Sequence, residues 1–168
     1  RAFANVGSII WQFNEPWPNV SCTNLVDYYG EPKLAYYAVK IAFRQVNPSL
    51  RYDKLVYAPG ESATVQPWIS SDSPVCDWHL TVKITDSEGH IIADSQQVLA
   101  AGDGRSAAGE PLTFAMPGKG VVYVELTAAD DGRSFSNRYI LFVRDEDGYA
   151  DRGLALAFAG CLKTLAEE

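Results

Sequence analysis

Between Trp78 and Thr85 the chain alternates without a slip: Trp78, Leu80, Val82 and Ile84 are apolar, while His79, Thr81, Lys83 and Thr85 are polar. A period of two puts the first set on one face of a strand and the second on the other. Val122, Val124 and Leu126 alternate in the same way against Tyr123, Glu125 and Thr127. Shorter runs at Leu50–Tyr57, Ser62–Ile69, Leu112–Met116 and Ser136–Val143 read as further strands. Turn chemistry separates them. Pro59-Gly60, Asp86-Ser87-Glu88-Gly89 and Asp130-Asp131-Gly132 break the pattern, and Ile91–Asp94 follows the second as a hairpin partner. Six or seven short strands at this spacing predict a mainly β fold, an immunoglobulin-like antiparallel sandwich.

The first 47 residues follow another rule. Ser8 to Phe13 is nearly all apolar, the mark of a parallel strand buried on both faces. Residues 14–31 carry the Pro, Asn, Ser and Gly of a loop. A helix is predicted from Glu31-Pro32 to residue 46, because Leu34, Tyr37, Ala38, Ile41 and Ala42 form one apolar stripe. Pro48 is the expected stop. The Ala/Leu-rich end, interrupted by Gly153 and Gly160, predicts a short C-terminal helix. The expected division is therefore 1–47, 48–146 and 147–168.

Composition narrows the field. Forty-seven per cent hydrophobic residues describe a folded chain. A net charge of −7 argues against nucleic acid and anionic membranes as partners. No apolar run reaches the ~20 residues of a membrane-spanning helix. The start, Arg1-Ala2-Phe3-Ala4-Asn5, has neither an initiator Met nor a secretory pattern and reads as the interior of a longer chain. Localisation is left open. Cys22, Cys76 and Cys161 are far apart and share no metal or redox spacing, so they read as ordinary thiols. Gly102-Asp103-Gly104 reads as a loop and not a phosphate cradle, since no helix follows. No cofactor or metal is implied. His79 and His90 read as solvated side chains, with no second ligand spaced to help.

The run "GSIIWQFNEPWP", followed by "LVDYYGEPKLAYYAVKIAF", resembles the end of the catalytic barrel of glycoside hydrolase family 2. That family includes β-galactosidases, β-glucuronidases and β-mannosidases. Trp11-Gln12-x-Asn14 and Trp17-Pro18 look closest to the β-mannosidase-like members, and Pro32-Lys33 with Ala35 matches the start of the helix that follows the eighth barrel strand. Many members carry a sandwich directly after the barrel. The resemblance implies the C-terminal part of a retaining β-glycosidase: the strand-loop-helix remnant of a (β/α)8 barrel, then an accessory sandwich.

Asn14-Glu15-Pro16 spells the acid/base tripeptide of such enzymes, but the resemblance places the acid/base after the fourth strand and the nucleophile after the seventh. Three more strand-helix units would have to follow Glu15, and β-strands follow instead. Retaining hydrolysis also needs two carboxyl groups about 5–5.5 Å apart. Glu15 has no such partner from a neighbouring strand, so neither catalytic carboxylate is expected in this chain. Trp11 and Asn14 are the candidates for substrate contact. The resemblance makes Trp11 a platform on which a sugar's C–H face stacks; read from its residue type alone, Trp11 fits the core equally well. Trp17, Tyr28 and Tyr29 read as packing residues that could line the rim. Carbohydrate is the implied partner. An unpaired apolar strand at 8–13 would cover itself with the helix and the sandwich, or pair with a second copy of the chain. Two other readings are open. One is a carbohydrate-binding or adhesion sandwich, which an exposed row of aromatics would favour, with Trp68 and Trp78 as candidates. The other is a complete small hydrolase using Glu15, which the chain length opposes.

Overall fold

The computed structural model describes residues 8–19, 23–144, 161 and 164–166. One helix, α1 (Leu34–Ala42), is followed by nine strands. They are β1 (Val46–Tyr52), β2 (Val56–Tyr57), β3 (Ser62–Ser71), β4 (Cys76–Asp86), β5 (Ile91–Ala101), β6 (Arg105–Ala108), β7 (Leu112–Ala115), β8 (Val121–Ala129) and β9 (Ser134–Val143). They form two sheets. One has the order β1-β3-β6, with β7 beside β6 on the same edge of β3; the other has the order β2-β9-β8-β4-β5. All pairings are antiparallel except the two-residue match of β2 to β9. The chain is thus a mainly β sandwich of immunoglobulin-like kind.

The core follows from the alternation. Trp78, Leu80, Val82 and Ile84 are buried while Asp77, His79, Thr81 and Lys83 are exposed. The register sets Val82 beside Leu126 and Ile84 beside Val124. Val46, Leu50, Val65, Ile69 and Phe114 of the other sheet close over them in one cluster. Trp78 is fully buried, yet its Nε1–H donates to the Ala101 carbonyl at 3.3 Å, so no polar atom is stranded. The Arg133 guanidinium lies 5.0 Å over its ring, and Phe135 meets it edge-on at 5.9 Å.

The Gly102 loop is a clip. Asp103 N donates to Ser73 O at 2.7 Å and Gly104 N to Ser71 O at 2.9 Å. This draws Gly102 against the backbone of Val75, where a Cβ would sit 2.5 Å from Val75 N and Cα. Only glycine fits there.

Several boundaries differ from expectation. The helix covers Leu34–Ala42 and not 31–46. Val46 is fully buried in the sandwich, and its burial draws the chain into β1 before the helical stripe runs out. Pro48 does not stop a helix; it lies inside β1, opposite Ile69. β1 pairs only with β3, and an edge strand tolerates a residue without an N–H. The expected strand Leu50–Tyr57 is two strands in different sheets.

Residues 8–13 form no strand. Asn14 makes one isolated parallel bridge to Val26, and Ile9 and Phe13 are exposed. A strand apolar on both faces needs neighbours on both sides, and the described residues supply none. Of the predicted helical stripe, only Ile41 is buried; Leu165 and Ala166 cover it. The expected C-terminal helix lies mostly outside the described residues, although Cys161 and Thr164–Ala166 are helical.

Candidate functional site

The sequence-predicted site residues lie in the segment before α1. Backbone hydrogen bonds hold that segment in a folded-back loop. Val26 N donates to Phe13 O at 2.8 Å, Glu15 N to Val26 O at 3.2 Å, and Lys33 N to Leu25 O at 2.8 Å. Asp27 shapes the return: one carboxylate oxygen accepts from Tyr29 N at 2.9 Å and from Glu31 N at 2.8 Å. An Asp side chain standing in for a backbone acceptor makes such a turn without help from distant residues. The Trp11–Gln12 peptide is cis.

This loop splits the chemistry in two. Trp11 is 79% exposed, and Asn14 is exposed beside it in sequence. Glu15 points the other way: it is 4% exposed, and its carboxylate is ion-paired to the Lys33 ammonium. A cleft of about 490 Å³ is lined by Glu15, Trp17, Pro18, Asn19, Asp27 and Tyr29. Trp11 and Asn14 are not among its lining residues. Trp17 and Tyr29 are exposed at its rim, and Tyr28 packs edge-on against Tyr29 at 5.3 Å.

Acid/base work at Glu15 would need a carboxyl that can meet a glycosidic oxygen and a second carboxylate to attack the sugar. Glu15 is engaged by Lys33, and Asp27 uses one oxygen to hold two backbone N–H groups. What the loop offers is aromatic faces, the exposed amides of Asn14 and Asn19, and a half-buried ion pair that joins the loop to the start of α1. Lys33 is the site residue that sequence reasoning missed. In the sequence it marks only a helix start, and no local spacing marks a pair separated by 18 residues.

Elsewhere the titratable groups act structurally. The Asp130 carboxylate meets Arg133 in a 2.5 Å ion pair, and the same Arg133 reaches Ser73 Oγ at 3.0 Å. The hydrogen bond from the Arg133 side chain, helped by the N–H groups of Gly132 and Arg133, holds the Asp130 carboxyl below its ordinary value despite desolvation. At Asp86, desolvation is the strongest single influence and acts upward. Hydrogen bonds from His90 and Glu88 together outweigh it, so the net shift is downward. His79 is exposed and His90 packs against Asp86 at 3.0 Å. Among the described residues no group of three His, Cys, Asp or Glu could hold a metal ion. No described helix is long and apolar enough to cross a membrane.

No protein-family model matches the chain. It is 53% identical over 34 residues, 20% of the chain, to "Beta-mannosidase B" of Thermothelomyces thermophilus. It is 33% identical over 70 residues, 39% of the chain, to "Beta-mannosidase B" of Aspergillus niger. The matched stretches are only 4% and 8% of those proteins. Among solved structures, Spo0M, a sporulation control protein of Bacillus subtilis, aligns with a TM-score of 0.48 at 14% identity, covering 62% of this chain and 51% of its own. A beta-glucuronidase of Parabacteroides merdae aligns with a TM-score of 0.47 at 10% identity, covering 60% and 14%. Both lie below a TM-score of 0.5 and say nothing of this chain's chemistry. The class is thus an immunoglobulin-like sandwich preceded by a loop-helix segment. Within it, the chain resembles the C-terminal part of a glycoside hydrolase family 2 enzyme, with its sequence relatives among the beta-mannosidases.

Proposed function

We propose that this chain is a portion of a retaining β-glycosidase acting on β-mannosides, and that residues 8–33 form one wall of its sugar site. Trp11 is the stacking platform and Asn14 a hydrogen-bonding neighbour. The acid/base and the nucleophile belong to other parts of the whole enzyme, and the sandwich is an accessory domain. Residues 1–47 would then correspond to the last strand-helix unit of the whole enzyme's barrel, although the final two, Val46 and Asn47, already belong to β1 of the sandwich. The observation that carries this reading is the exposure of Trp11. An indole is rarely left so open unless its face and its N–H are wanted by a partner. Identity to beta-mannosidase B supports the choice of sugar.

The chain alone should hydrolyse no aryl β-mannoside, β-galactoside or β-glucuronide, because a wall cannot both protonate the leaving oxygen and attack the sugar. Turnover that vanishes in Glu15→Gln would reverse that assignment. In the whole enzyme Trp11→Ala should lower kcat/KM more than Glu15→Gln does. Exposed Ile9, Trp11 and Phe13 would also draw copies of the isolated chain together. A strictly monomeric sedimentation profile at rising concentration would remove self-association from the account.

A further inference from the structure

The two tryptophans of the sandwich face opposite ways. Trp78 points into the core. Trp68 lies on β3 between the buried Pro67 and Ile69, so its side chain stands on the outer face of the four-stranded sheet. It takes no part in the core cluster. Its cross-strand neighbours are Ser49 on β1 and Ala108 on β6. Both are small, so neither covers the indole from the side. Its Nε1–H, unlike that of Trp78, has no hydrogen-bond partner among the described residues.

The rest of that face is hydroxyl and amide. Ser70 and Ser106 pair through their oxygens at 2.7 Å, and Thr64 and Thr113 at 2.9 Å. Gln66 donates its amide N–H to Gly109 O at 3.2 Å, which leaves its amide oxygen open. Arg51, opposite Gln66 on β1, is exposed on the same face. Rows of side chains two residues apart along the strand lie ~6.8 Å from each other. A half-buried indole on the outer face, with a free donor, is therefore set among hydroxyls, an amide and a guanidinium at sugar-ring spacing.

We propose that this outer face, centred on Trp68, is a binding surface for a neutral oligosaccharide of β-linked pyranoses. One ring stacks on the indole, whose N–H donates to a sugar hydroxyl. Gln66, Ser70 and Arg51 hydrogen-bond to hydroxyls of that ring or of the next one along the strand. The chemistry selects a sugar over an apolar peptide, because apart from the indole the face presents hydroxyls, an amide and a guanidinium, and no apolar pocket for a side chain. It selects a neutral chain over a polyanion, because the protein carries −7. This surface is separate from the wall at residues 8–33 and does not depend on it.

The test is a titration of the uniformly ¹⁵N-labelled full chain with mannohexaose and, in parallel, cellohexaose, read at the four indole N–H signals. The Trp68 indole should shift with saturation while the buried Trp78 indole stays still. Trp68→Ala should weaken binding about tenfold, Trp68→Phe less, and Trp11→Ala should leave the Trp68 shift in place. A Trp68 indole unmoved by either hexaose at millimolar concentration overturns the proposal. So do shifts confined to Trp11 and Trp17, which would speak for the N-terminal wall instead. The wild-type indole reading decides the matter even if Trp68→Ala fails to fold.

Discussion

Trp78 and Trp11 are the same residue type in opposite situations. Trp78 has no exposed surface, a bonded N–H, a guanidinium on its face and a phenyl ring at its edge. Trp11 is 79% exposed, and among the described residues only its carbonyl has a partner, the Thr23 hydroxyl at 3.4 Å. The regions around them differ in the same sense. Strands β4 and β8 bury every second side chain against a facing sheet. Residues 8–19 turn Ile9, Phe13 and Trp17 outward and bury only Glu15, through an ion pair. Hydrophobic residues alone do not make a core. They need a second surface of matching shape, which the sandwich carries within itself. The N-terminal segment keeps its loop through backbone hydrogen bonds and leaves Ile9, Trp11, Phe13 and Trp17 exposed.

The contrast makes predictions of graded size. Val124→Asp should abolish cooperative folding of the sandwich, at a cost above about 4 kcal/mol, because a lone carboxylate would replace a methyl-bearing side chain in the centre of the core. Loss of the thermal transition checks it, and a near-parental melt would mean the register of β8 is wrong. Gly102→Ala should cost about 1–3 kcal/mol in urea unfolding, since its Cβ meets backbone and not a side chain that can swing away.

A smaller effect belongs to the Asp130–Arg133 pair that ties the β8–β9 turn to the loop before β4. The folded-state pKa of Asp130 is depressed. Its contribution is therefore fully present above the ordinary Asp value of about 3.9 and is lost as pH falls through the lower folded value. Asp130→Asn should lower the urea midpoint at neutral pH and flatten that part of the acid limb. A parallel downward shift at every pH would contradict the assignment. Smallest of all, Trp11→Ala should change stability by no more than about 0.5 kcal/mol, despite removing the largest kind of side chain. A large loss would mean that Trp11 is packed after all.

Most of the sandwich was legible in the sequence. Trp78–Ile84 and Val122–Leu126 alternate because one face of each strand is buried, and burial is what hydrophobic patterning records. The second half of β5, Ser95–Ala101, and all of β6 were not legible. Ser, Gln and Ala carry little strand preference, and these stretches are strands because β4 and β3 offer them hydrogen-bonding edges. The start of β1 was hidden because the helical period of Leu34–Ala42 runs on smoothly into Val46. In the candidate site, the aromatic loop was visible as composition. The Glu15–Lys33 pair was not, since it depends on how the loop folds back. The strand expected at residues 8–13 failed for the same reason that the sandwich succeeded: apolar content became structure only where a partner surface lay within the described residues.

Native-state amide hydrogen exchange across the whole chain compares the two regions in one measurement. Amides of Leu80–Ile84 and Val122–Leu126 should exchange only through global unfolding, while those of residues 23–33 should exchange orders of magnitude faster through local opening. Equal protection in both regions would contradict the account, because it would mean that the N-terminal segment shares the sandwich's core and has no surface waiting for a partner.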